Sequence, residues 1–288
     1  AAILRPLNNA RVTTQFRQAY SAELKPVLEP LVADNRDFVA VNALRIAGEL
    51  ATSSTVPMLL SQLGAGAKDR PLSVRYGACF GAARMFEAFN KADGAIGQAN
   101  LSDTVTALAG FMGRSKEPQL VDGATLALIA AAQIPDSKGG TGFRSTTVKK
   151  LTLGLSVKAQ EITTSPDAAA SVGTLLRAIG AIRDLVAADQ EVDAWTVDKP
   201  TVTEAAGLAG DVLTAVVKIQ DRDKPVALTP LFQVLDRSAK ASSGLLGLAL
   251  PRLAKNSPTI PKEIRDIIAP NGILTVPPLS FKPERFKL

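Results

Sequence analysis

In "DNRDFVAVNALRIAGEL", residues 34 to 50, the apolar side chains of Val39, Ala43, Ile46, Ala47 and Leu50 recur at helical spacing. Asp34 or Asn35 can cap the start of this predicted helix. Thr52-Ser53-Ser54 breaks the pattern, and "TVPMLLSQL" begins a second, shorter helix in which Pro57 is tolerated in the first turn. Gly64-Ala65-Gly66 ends it. The next run, "LSVRYGACFGAARMF", has almost no hydrophilic side. Leu72, Tyr76, Cys79, Ala83 and Phe86 make one apolar face, and Val74, Ala78, Ala82, Met85 and Phe89 make another. A helix that is apolar on two sides is packed on two sides. Gly77 and Gly81 leave it thin in the middle, so neighbouring helices can come close, with Phe80, Phe86 and Phe89 filling the remaining space. The expected flanks are the helix of the preceding pair and the following helix near Leu101 to Met112. Gly77→Leu should overpack this contact at a cost of about 1–3 kcal/mol.

The pattern repeats. Val74-x-x-Gly77-Ala78 aligns with Val39-x-x-Asn42-Ala43, Leu120-x-x-Gly123-Ala124 and Ala170-x-x-Gly173-Thr174, at offsets of 35, 46 and 50 residues. Such offsets suit a two-helix unit with loops of changing length. "TVTEAAGLAGDVLTAVVKI", "PVALTPLFQVLDRSA" and "SSGLLGLALPRLA" continue in the same small, apolar style without a clear repeat. No alternating run bounded by hairpin turns occurs before the last twenty or so residues, so an all-α fold is predicted.

"DFVAVNALRIAGEL" with its partner "TVPMLLSQL", and "PLSVRYGACFGAARMF", resemble HEAT-type helical repeats, best over Arg36 to Gln133 and more weakly to Asp189. The offsets drift, and the arginine of the repeat pattern is found only at Val74-Arg75. The resemblance implies an all-α, HEAT/ARM-like superhelix, or solenoid, of about twelve helices stacked right-handedly in antiparallel pairs, usually a binding scaffold. Residues 1–268 are assigned to one continuous helical-repeat domain and 269–288 to an extended, Pro-rich tail.

Aromatic residues make up only 5% of the chain, so the core must be built mainly from Ala, Leu, Val and Ile, which suits closely packed helices. The formal charge of +6 is concentrated at the end. Residues 251–288 hold seven Lys/Arg against three acids, which leaves 26 basic and 24 acidic residues in the first 250. A nearly neutral body argues against a nucleic-acid partner, which selects a basic stripe across the binding surface. Uninterrupted apolar stretches are too short for a membrane span, and the chain is read as soluble. A start at Ala1-Ala2 rather than Met fits either a cytoplasmic chain or one exported after removal of a leader.

The chain contains no histidine, which removes Ser-His-Asp and Cys-His catalysis and every His-containing zinc site. Cys79, the single cysteine, falls on an apolar helical face and is read as a small core residue. Gly64-Ala65-Gly66-Ala67-Lys68 and Ser137-Lys138-Gly139-Gly140-Thr141-Gly142 lack the spacing and the preceding strand of a phosphate loop, and are read as inter-helix turns. The mixed-sign clusters Asp34–Asp37 and Asp221–Lys224 lack the pattern of a calcium loop. No cofactor, metal or catalytic residue is assigned.

Two features point to a partner. Trp195, the only tryptophan, lies in the charged segment "DQEVDAWTVDKP" and is either a docking anchor or a ring packed under a loop. The tail "APNGILTVPPLSFKPERFKL" is too rich in proline for a helix and too apolar for an ordinary disordered tail. It is either a strap over the chain's own terminal helices or a docking peptide for another subunit, with Phe281, Arg285 and Phe286 as its contacts. The favoured function is a non-catalytic protein-binding scaffold, a subunit of a larger assembly or a homo-oligomer. The alternatives are a helical-repeat enzyme, or enzyme-associated subunit, with carboxylates in its groove, and a protein that handles a small ligand or pigment.

Overall fold

The computed structural model describes residues 3–8, 12–91, 95–164, 168–187, 196–225, 229–250 and 262–288. These contain twelve α-helices, three short 3-10 turns and no β-strand. The all-α fold of helices packed in adjacent pairs is the one the spacing predicts. Trp195 lies outside the described residues. The chain groups into two compact units, residues 1–147 and 148–288.

In the first unit, α1 (Thr14–Val32), α2 (Asp37–Leu50), α3 (Val56–Ser61), α4 (Leu72–Lys91), α5 (Gln98–Arg114), α6 (Pro118–Ala132) and α7 (Asp136–Gly139) follow in order. The helix α8 (Phe143–Ile162) begins there. Alternate helices stack: α2 packs on α4 and α4 on α6, while α3 and α5 form a second layer behind them. The principal flanks of α4 are therefore α2 and α6, not the following helix α5. This is a correction to the sequence reading, and it arises because neighbouring repeats stack like on like.

Glycine decides how closely the ladder packs. A β-carbon on Gly77 would stand 3.0 Å from the Val41 side chain, and one on Gly123 would stand 3.0 Å from the Tyr76 ring. One on Gly81 would stand 2.7 Å from the carbonyl oxygen of Leu44. Contacts of α2 with α4 thus follow the offset near 35 residues, and those of α4 with α6 the offset near 46. The buried stripe of α2 runs through Ala40, Ala43, Leu44, Ala47 and Gly48, rotated from the expected one because Leu44 and Gly48 meet α4. Phe86 and Phe89 are buried as expected. Phe80 is not: it is 37% exposed, because the Gly81 side of α4 takes the backbone contact and turns Phe80 outward.

Cations close several helix ends, where the last carbonyls have no partner within the helix. Arg17 donates to the carbonyls of Glu49 and Leu50 at the end of α2. Arg70 donates to Val32, the last residue of α1, and to Asp34 beyond it, and Lys138 to Asn90 in α4. Arg144 donates to Ala132 at the end of α6.

In the second unit α9 (Ala168–Val186), α10 (Lys199–Asp223), α11 (Pro230–Ala249) and α12 (Lys262–Ile268) precede the tail. Asp198 caps α10, its carboxylate accepting from the Thr201 amide, and Thr229 caps α11 in the same way through Phe232. The helix α11 packs on α9 and α10, and α10 also meets α12 and the 3-10 turn Pro283–Phe286. With neighbours on several sides, α10 is buried over most of its length, Val202 to Val217.

Candidate functional site

The C-terminal segment does not form a regular helix, since Pro270, Pro277, Pro278 and Pro283 interrupt it. It folds back on its own chain instead. Leu274 and Phe286 are buried against α10, where a β-carbon on Gly210 would stand 2.6 Å from either side chain. Gly207, one turn earlier, leaves the same kind of room for the Arg285 guanidinium. Between these glycines and the tail sits Asp211, whose side chain is fully buried. Arg285 forks onto it, Nη2 donating to Oδ2 at 2.8 Å and Nε to Oδ1 at 3.1 Å. Nη2 also reaches Ser156 Oγ at 3.3 Å, and Glu204 adds a second carboxylate at 3.9 Å. The Arg285 carbon lies 4.9 Å from the Phe281 ring centroid and 5.6 Å from that of Phe286, while the two rings meet edge to face at 5.8 Å.

Phe281, Arg285 and Phe286, the three tail residues picked out in the sequence, are thus brought together, and Arg285 and Phe286 meet the chain's own α10. Asp211, their counterpart, escaped sequence reading. The available signal was an acid inside the otherwise apolar run "AAGLAGDVLTAVV", where an unpaired charge is costly. Beside the pair a cavity of about 50 Å³, lined in part by Gln160, Thr163, Thr214 and Lys218, leaves space for water.

A second surface lies in the first unit, on the side of α2, α4 and α6 away from α3 and α5. Its exposed positions fall in rows one repeat apart. Arg45, Phe80 and Leu126 form one row, Phe38, Ser73 and Gln119 another. Phe38 is 68% exposed and Leu126 46%. The rows are tied by polar contacts: Ser73 donates to Asp37, Glu49 lies 3.9 Å from Arg84, and Arg84 spans Phe80 at 4.9 Å and pairs with Glu87 at 2.9 Å.

Cys79 is buried between α4 and α6, and burial pushes its thiol up to about 12. The two glycine-rich loops are inter-helix turns. The first holds the 3-10 turn Ala65–Ala67, and in the second Asp136 accepts from the amides of Gly142 and Arg144. Hydrogen bonds from Arg36 hold the Asp34 carboxyl down to about 2, as in a solvated turn. Among the described residues no cluster of three or more metal-ligating side chains occurs, and no helix is long and apolar enough to cross a membrane.

No family model and no curated protein matches this sequence. Among solved structures it is similar to a designed armadillo repeat protein in complex with the peptide (KR)4, at 13% identity and a TM-score of 0.42, over 83% of this chain and 94% of that one. It is also similar to an engineered protein at 16% identity and a TM-score of 0.33, over 77% and 97% of the two chains. The assignment of the fold rests on the helix packing itself.

Proposed function

We propose that this chain is a non-catalytic protein-binding scaffold, acting alone or as a subunit of a larger assembly, and that it reads a protein partner on the α2–α4–α6 face. The observation that carries this reading is the set of apolar side chains, Phe38, Phe80 and Leu126, held exposed among charged groups on a rigid stack of helices. Apolar positions rimmed by charge are the composition of an interface, and a stack of packed helices loses little freedom on binding.

The test is affinity isolation from the native source with wild-type protein and with Phe38→Asp/Phe80→Asp/Leu126→Asp. A co-purifying chain lost from the variant, at an unchanged unfolding midpoint, supports the reading. Equal recovery of partners by both proteins removes this face from consideration.

A further inference from the structure

Asp211 poses a problem that its own helix cannot solve. Its carboxylate is fully buried in an apolar stretch of α10, and the hydrogen bonds that satisfy it come from Arg285, 74 residues away in sequence. A buried charge must be paired, so this face is incomplete until a guanidinium arrives from outside the helix. The surroundings suit an arginine in particular. The fork geometry on Asp211 uses Nε and Nη2 together, which an ammonium cannot do, and the tail's own Phe281 and Phe286 rings lie alongside the guanidinium. Gly207 leaves room for the Arg285 guanidinium, and the Leu274 and Phe286 side chains fill the space over Gly210.

None of these contacts depends on the peptide being joined to the chain. The covalent link only supplies a high local concentration, on the order of millimolar for a short flexible tether. We propose that the Gly207–Gly210–Asp211 face of α10 is a binding site for a peptide that presents an arginine followed by an aromatic residue on a short 3-10 turn, and that residues 271–288 are its resident, competing occupant. The site is separate from the α2–α4–α6 face, and its fate does not hang on that reading. A partner segment of the same chemistry binds by displacing the tail.

The probe is a fluorescent synthetic peptide of residues 271–288, followed by anisotropy against the full-length chain. The Arg285→Ala/Phe286→Ala variant, with its own tail weakened, should bind the peptide saturably. Wild type should bind it at least about tenfold more weakly because its tail competes. A peptide carrying Arg285→Glu should not bind. Absence of binding to the folded variant overturns the site, equal binding to both proteins overturns self-occupancy, and unchanged binding of the glutamate peptide overturns arginine recognition. If circular dichroism shows the variant unfolded, isotope-labelled wild type decides. Movement of the Arg285 Nε–H resonance to its free position as unlabelled peptide is added supports the site, and a fixed resonance up to about millimolar peptide overturns it.

Discussion

A β-carbon placed on Gly48 would stand 2.1 Å from the carbonyl oxygen of Gly81. Here α2 and α4 touch backbone to backbone, and neither side has a flexible group to move. Gly48→Ala should therefore destabilise the chain by about 3 kcal/mol, the upper end of the overpacking range, although alanine ordinarily favours a helix by about 1 kcal/mol. Gly77→Ala faces only the Val41 side chain and should stay within about 1 kcal/mol of wild type. Urea midpoints for the two variants make the comparison, and equal midpoints would contradict the packing.

Arg285→Ala should cost about 3–5 kcal/mol, because it strands the buried Asp211 carboxylate rather than merely deleting a contact. The double variant Arg285→Ala/Asp211→Ala should cost clearly less than the sum of the two single changes. Arg285→Lys should recover only part of the loss, since lysine keeps the charge but not the fork. A double-mutant cycle in urea measures the coupling; strict additivity would show that the pair contributes nothing.

Cys79 should be silent toward Ellman's reagent in the native chain and react at once in denaturant. Its thiol, pushed up to about 12, remains protonated from neutral to mildly alkaline pH. The native labelling rate should thus stay far below that of an ordinary thiol and still climb about tenfold per pH unit between about pH 7 and 9, whereas a thiol of pKa about 8.5 levels off in that range. A normal pH response would place the thiol in solvent.

Asp198→Ala should destabilise α10 by about 1 kcal/mol near neutral pH through loss of its cap. Hydrogen bonds from Thr201 lower the folded-state pKa of this carboxyl. A lowered folded value means that its charge-dependent stabilisation is complete above the unfolded value of about 3.9 and fades as pH falls through the folded one. The gap between wild type and Asp198→Ala should narrow on acidification over that window. Asp198→Asn keeps a good cap without the titration, so its own stability should lack this component. Unfolding midpoints at neutral and acid pH distinguish the three proteins.

The repeat behind α2, α4 and α6 was legible because it is written in local spacing, but that α6 rather than α5 is the second flank of α4 was not. Ala43, Gly77-Ala78 and Gly123-Ala124 recur at the same place in each repeat and are buried where the helices pack closely, while Asn42, aligned with Gly77, stays exposed. The outward turn of Phe80 was not legible, since both sides of its helix are apolar and the wheel alone does not say which side meets a backbone. The tail shows the same division. Its apolar and basic side chains marked Phe281, Arg285 and Phe286 as contacts, but nothing in their spacing named Asp211.

By itself, the sequence determined an all-α chain of paired helices lacking the histidines of common catalytic and zinc sites, ending in a proline-interrupted segment that must dock somewhere. These follow from helical periodicity, proline and residue chemistry, all of which act over a few positions. Tertiary structure alone decided that Gly48 meets Gly81, that Phe38, Phe80 and Leu126 stay in solvent, and that Arg285 finds Asp211 within its own chain. Those outcomes depend on which surfaces exclude water together and which buried charge needs a partner, and both are settled only when distant segments meet.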